Sequence, residues 1–178
     1  MKTLIIVTHP HIEDSFINKR WIEELEKYPE QYTIHQLYKA YPDEHIDVKE
    51  EQQLIEQYDH IVFQFPLYWF SMPPLLKKWQ DEVLTYGWAY GSKSGYKVGG
   101  KKVTLAISAG IDEREYAHNE KYKYTLKELL RPFELTFEYI HADFRPFFAY
   151  YDIELNSTTE WIERSVPLYR QFLEDFSK

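Results

Sequence analysis

His60-Ile61-Val62-Phe63-Gln64-Phe65-Pro66-Leu67-Tyr68-Trp69-Phe70-Ser71-Met72-Pro73-Pro74-Leu75-Leu76-Lys77-Lys78-Trp79 is the stretch that decides the fold. Its first six residues form a largely apolar run of the kind found in a strand buried on both faces of a sheet. Pro66 ends that strand. Pro73 and Pro74 suit the first turn of a helix, where a missing N–H is harmless, and Leu75, Leu76, Trp79 and Val83 give the helix an apolar stripe.

The same succession of strand, loop and helix recurs on either side. Residues 3–8 are β-rich and end at a His-Pro turn, and from Ser15 to about residue 27 Phe16, Ile17, Trp21, Ile22 and Leu25 stand at helical spacing. Residues 32–37 alternate as a short strand, 48–57 form a polar-faced helix, and 103–108 form another buried strand. Residues 88–100, rich in Gly and Ser, read as loop. Beyond them the pattern predicts a helix from 125 to about 133 limited by Pro132, a last strand over 136–141, and a terminal helix over 158–176. Five strands alternating with helices imply an α/β domain spanning residues 1–178, with a doubly wound parallel sheet covered on both faces. Ligands of such sheets bind at the carboxyl ends of the strands, near the point where strand order reverses.

Composition narrows the chemistry. The 178 residues contain no cysteine, which excludes disulfides, a thiolate nucleophile and cysteine-ligated metal. The first strand is too short for a signal-peptide core or a membrane span, so a soluble, cytoplasmic protein is expected. A net charge of −8 argues against nucleic acid as a partner. Aromatic residues make up 18% of the chain, more than a core of this size usually needs, which suggests dense packing, a planar ligand or a large subunit interface.

Three loops follow the first, third and fourth strands. In the first, His9-Pro10-His11-Ile12-Glu13-Asp14-Ser15-Phe16-Ile17-Asn18, Ser15 can cap a helix whose free N–H groups favour a phosphate; it can equally be a cap and nothing more. Two histidines near a carboxylate lack a third ligand at a recognisable spacing, so no metal is expected. The second loop places Tyr68, Trp69 and Phe70 in succession. Neighbours in a loop cannot all point inward, whereas a flat cofactor needs apolar walls and backbone donors. The third, Ser108-Ala109-Gly110-Ile111, is small enough for close backbone approach, and Tyr116 follows it.

These segments resemble the flavodoxin-like NAD(P)H:quinone oxidoreductases, a family that includes DT-diaphorase and the ancillary oxidoreductases of bacterial glutathione-gated potassium efflux systems. The resemblance covers nearly the whole chain. It rests on the loop from His9-Pro10 to Asn18, on Tyr41-Pro42-Asp43 with Ile46-Asp47, on the Phe63–Phe70 run into Pro73-Pro74 and Trp79, and on Gly87-Trp88-Ala89-Tyr90-Gly91. It implies strand order 2-1-3-4-5 and FMN as cofactor, with FAD the alternative. His9, Ser15, Phe16, Ile17 and Asn18 would hold the phosphate, Leu67, Tyr68, Trp69 and Phe70 would line the isoalloxazine, and Ser108, Ala109, Gly110 and Ile111 would cover its pyrimidine end.

The resemblance further implies ping-pong transfer of two electrons from NADH or NADPH to a quinone, nitro or azo acceptor. Tyr116 would support hydride transfer. The companion family histidine aligns on Tyr122, with His118 nearby, and sequence does not choose between them. The family's Thr-Thr-Gly-Gly pattern is Ser108-Ala109-Gly110-Ile111 here, which removes a threonine hydroxyl at position 109. A homodimer is implied, with Tyr90 reaching into the partner's substrate pocket. Two alternatives share the fold: a flavodoxin-type one-electron carrier, and a regulatory subunit of a potassium efflux transporter.

Overall fold

A computed structural model describes residues 2–178. The chain runs β1 (Thr3–Val7), α1 (Phe16–Leu25), β2 (Tyr32–Gln36), α2 (Leu37–Ala40), α3 (Val48–Glu56), β3 (His60–Pro66), α4 (Pro74–Val83), β4 (Lys102–Ser108), α5 (Leu126–Leu129), α6 (Arg131–Tyr139), β5 (Asp143–Phe144), β6 (Phe148–Tyr150) and α7 (Thr159–Phe176). The sheet is parallel throughout, in the order β2-β1-β3-β4-β5, with β6 also on β4. This is the expected order. The central strands are buried on both sides because their side chains alternate between two cores. Leu4, Ile6, Ile61, Phe63 and Phe65 meet α4 and α6 on one face; Ile5, Val7 and Val62 meet α1 and α7 on the other.

Much of the aromatic content is spent in these cores. Phe63 packs between Trp79 and Phe137, each at a centroid distance of 5.3 Å, and Phe65 stacks on Phe133. On the opposite face Trp21 sits against Tyr169 at 4.6 Å and donates its indole N–H to Ser165 Oγ. Other aromatics stay exposed, among them Phe16, Trp69, Tyr86, Tyr124 and Tyr139.

The end of the chain departs from the sequence reading. Residues 136–141, expected as the last strand, complete α6 and its C-terminal turn, and the fifth sheet position is filled by β5 and β6 further on. Leu126, Leu130, Phe133, Phe137 and Ile140 are all buried, and their spacing of four, three, four and three is helical. Pro132 does not end the preceding helix. It stands in the first turn of α6, where its missing N–H costs no bond, after α5 has stopped at Leu130. The β5 and β6 pieces are separated at Arg145-Pro146-Phe147, since Pro146 cannot donate to a ladder. None of the described helices is long and apolar enough to cross a membrane.

Candidate functional site

The loops after β1, β3 and β4 meet at the carboxyl edge of the sheet, as parallel pairing of those strands requires. Two adjoining cavities lie there. One, of about 240 Å³, is bounded by His9, His11, Ser15, Phe16, Ile17 and Ser108 among others. The other, of about 380 Å³, is lined by Leu67, Tyr68, Trp69, Phe70, Gly110, Ile111, Tyr116, Tyr122 and Glu154.

At the smaller cavity Ser15 is the cap of α1, its Oγ accepting the Asn18 N–H at 3.1 Å. The N–H groups of Phe16 and Ile17, in the first turn, have no intrahelical partner and carry the positive end of the helix dipole. His9 Nδ1 accepts the His11 N–H at 3.2 Å, so in the neutral ring the proton is on Nε2. Burial is the main reason that the His9 pKa lies below its ordinary value, with the His11 charge adding to it. Asn18 is buried, and its amide donates to Ser108 Oγ at 2.8 Å while Gln64 donates to its carbonyl oxygens. Tyr169 closes this chain by donating to Gln64 Oε1. Asn18 therefore braces the first loop against the third, with Gln64 and Tyr169 as supports that sequence reading missed.

At the larger cavity the aromatic loop is a tight turn, Tyr68 and Ser71 exchanging backbone hydrogen bonds at 3.1 and 2.9 Å. Trp69 and Phe70 both take positive φ, +46° and +62°, at a cost of about 1–3 kcal/mol each. The turn throws Trp69 outward to 92% exposure and leaves Phe70 at 40%, edge-on to Tyr122 with centroids 5.0 Å apart. Such strain concentrates where a loop serves a ligand.

In the third loop Ala109 is fully buried and its N–H is spent on Tyr150 O at 2.9 Å, so it is not available to a ligand. The N–H groups of Gly110 and Ile111 make no hydrogen bond among the described residues. Tyr116 is only 7% exposed, yet its hydroxyl makes no hydrogen bond among the described residues. Burial, with Tyr122 and Glu154 nearby, pushes that phenol up to about 12. Tyr122 packs on Tyr116 at 5.1 Å and lines the cavity, whereas exposed His118 turns away toward Glu128 and Lys123 O. Of the two residues that the resemblance left open, Tyr122 thus brings a second phenol to the cavity.

Tyr90 is not in either cavity. It lies in a cleft between α4 and α6 with Lys77, Gln80 and Tyr139, and packs on Tyr86 and Tyr139. Sequence reading also missed Glu154, which lines both cavities, and Tyr151, which packs on Tyr116. Both follow β6, and placing the last strand over 136–141 hid the loop at its true carboxyl end.

Known proteins show the same architecture. General stress protein 14 of Treponema denticola, solved in complex with FMN, is 44% identical with a TM-score of 0.93, each chain being 99% covered. An NADPH-quinone reductase from P. pentosaceus is 32% identical with a TM-score of 0.86, over 97% of this chain and 98% of that one. An uncharacterised NAD(P)H oxidoreductase of Bacillus subtilis, YrkL, is 50% identical over 151 residues, 85% of this chain and 86% of that protein. A model of the family described by the flavodoxin-like fold matches residues 1–172, and with the β2-β1-β3-β4-β5 sheet and the site at its carboxyl edge it establishes that this chain belongs to the flavodoxin-like fold family.

Proposed function

We propose that the protein is an FMN-dependent NAD(P)H oxidoreductase that passes two electrons to quinones or related azo and nitro acceptors in a ping-pong cycle. The observation that carries this reading is the pair of adjoining cavities, one with a helix N-terminus suited to a phosphate and one with an aromatic wall and unspent backbone donors suited to a flat ring. The donor set fits a flavin phosphate: Ser15 fixes the first turn of α1, and His9 presents Nε2–H. The FMN complex of the 44% identical relative supports the same assignment.

A flavin held there would supply the chemistry of hydride transfer between nicotinamide and acceptor. The protein supplies binding and electrostatics. His9, Phe16 and Ile17 would hold the phosphate, and Asn18, through Ser108, keeps that loop in register with the next. Leu67, Tyr68, Trp69 and Phe70 would wall the ring. Gly110 N–H, Ile111 N–H and the Tyr116 hydroxyl would serve as donors to the pyrimidine end of the ring. FMN is favoured over FAD because the 44% identical relative is solved in complex with FMN.

The test is a flavin titration followed by anaerobic mixing with NADH or NADPH and then a quinone. The purified protein is expected to be yellow or to take up one FMN per chain, to bleach with the nicotinamide and to recover colour with the quinone. Ser15→Glu should weaken FMN by about 10²-fold, since it puts a charge beside the phosphate in place of the cap. Absence of flavin uptake by the parent protein rejects the reading; an unchanged FMN affinity in the variant rejects this phosphate loop.

The functional unit in this reading is a homodimer. Tyr90 lies outside the strand-end cavities of its own chain, so a substrate role for it requires a second subunit. Exposed Tyr86 and Tyr139 pack on it, and the buried Gln80 Nε2 in the same cleft has no partner among the described residues. Sedimentation is expected to give twice the chain mass, with Tyr139→Glu producing a monomer of low quinone activity. A fully active monomer would reject the shared site.

A further inference from the structure

Glu154 stands where the two cavities join. Four residues line both of them: Leu67, Tyr68, Gly110 and Glu154. If the phosphate of a flavin lies in one cavity and its ring in the other, as proposed above, the polyol linker must cross this shared wall. Its hydroxyls need hydrogen-bond acceptors there.

The wall has few to offer. The Ser108 carbonyl already accepts from Leu67 N–H at 2.8 Å, Ala109 from Ile153 at 3.2 Å, Gly110 from Glu154 at 3.0 Å and Ile111 from Asp152 at 3.0 Å. Ser108 Oγ already accepts one hydrogen bond, from the Asn18 amide. Leu67 and Gly110 have no polar side chain, and Tyr68 offers a neutral phenol, a weaker acceptor than a carboxylate. The exposed Glu154 carboxylate is the charged acceptor among the four shared residues, and it has no hydrogen-bond or ion-pair partner among the described residues. Its backbone is held by the bonds just named, and its side chain lies over Gly110 so closely that a methyl group there would collide with the carboxylate.

We infer that Glu154 is the polyol clamp of the flavin site, its carboxylate accepting hydrogen bonds from linker hydroxyls between the phosphate and ring subsites. The same contact would hold residues 109–111 against the cofactor, because residues 152–154 are bonded to all three of their carbonyls. This inference rests on the flavin reading. It goes beyond it by assigning a residue outside the three sequence-legible loops and by naming the part of the ligand that the residue recognises.

The test compares two ligands, FMN and a flavin carrying a 5-phosphopentyl chain, which keeps ring, linker length and phosphate but lacks the hydroxyls. Dissociation constants come from quenching of flavin fluorescence for the parent protein, Glu154→Ala and Glu154→Gln. The alanine variant is expected to bind FMN about tenfold more weakly, a low-end value for hydrogen bonds to a charged group, and to bind the phosphopentyl flavin as the parent does. Glutamine, which keeps one carbonyl acceptor, should fall between. Equal losses for both ligands would mean that Glu154 acts on ring, phosphate or loop and would overturn the assignment. So would an unchanged FMN affinity, or a tighter one from relief of repulsion with the phosphate. A parent protein that binds neither ligand would instead reject the flavin reading itself.

Discussion

Glu51→Ala is expected to remove about 3–5 kcal/mol of folding stability, the usual result of breaking a buried charged network by deleting one member. The Glu51 side chain is fully buried in α3. Its Oε1 accepts from Tyr41 OH at 2.7 Å and His35 Nε2 at 2.6 Å, and its Oε2 accepts from Trp79 Nε1 at 2.7 Å. Alanine would leave the Tyr41 and Trp79 donors buried without a partner, each a loss of roughly 1–3 kcal/mol. The network joins β2, the loop after α2, α3 and α4. Since α4 begins directly after the aromatic loop, Glu51 also fixes where that loop stands.

The same group sets an acid limit. Burial alone would push the Glu51 carboxyl up, but the hydrogen bonds and charge of His35, with those of Tyr41 and Trp79, outweigh it and hold the pKa below its ordinary value. A carboxylate with a folded pKa below the unfolded one contributes stability that is fully present above the unfolded value and is lost as pH falls through the folded value. Chemical denaturation from neutral pH downward should therefore show a decline starting at the ordinary carboxylate range in the parent, and a shallower one in Glu51→Gln. An alanine variant within about 1 kcal/mol of the parent would show that the network is not a major support.

Tyr116→Phe should slow reduction of the bound flavin by NADH or NADPH about 10²-fold, the typical loss on removing one preorganised donor to developing charge. FMN affinity should change much less, because charge that appears only during transfer is not present in the resting complex. The Tyr116 phenol titrates only at about 12, so it keeps its proton across the neutral range. The larger cavity is lined by no histidine. The rate of this step is accordingly expected to be flat from roughly pH 6 to 9, where a histidine donor would titrate. Rapid mixing under anaerobic conditions measures both effects. A bell centred near neutrality, or equal rates in parent and variant, would remove Tyr116 from the role and leave it as packing for Tyr122 and Tyr151.

Local pattern alone determined the core of the sheet and the ends of the loops after β1 and β3. The runs at β1, β3 and β4 are apolar because both of their faces are covered, and Pro66, Pro73 and Ser15 mark ends through properties of single residues: a fixed φ, a missing N–H, a short side-chain acceptor. Such signals lie within a few residues of what they specify, so they survive in the sequence. The Thr136–Ile140 segment shows where this stops. Its apolar residues fit a short strand as well as the end of a helix, and only burial of Phe133, Phe137 and Ile140 against β3 and its neighbours selects the helix.

What tertiary structure decided is the assembly of the site. Asn18 reads as a first-turn residue in the loop, yet its partner is Ser108, ninety residues away, and Gln64 meets Tyr169 across 105. Ala109 loses its donor role to Tyr150, Tyr122 and not His118 enters the cavity, and Glu154 arrives from beyond β6. None of these follows from spacing, because each depends on which backbone groups the parallel sheet has already paired and which it leaves free at its carboxyl edge. The sequence carried the elements and their ends; the sheet's hydrogen-bond accounting, settled only when all strands are in register, selected which side chains face the two cavities.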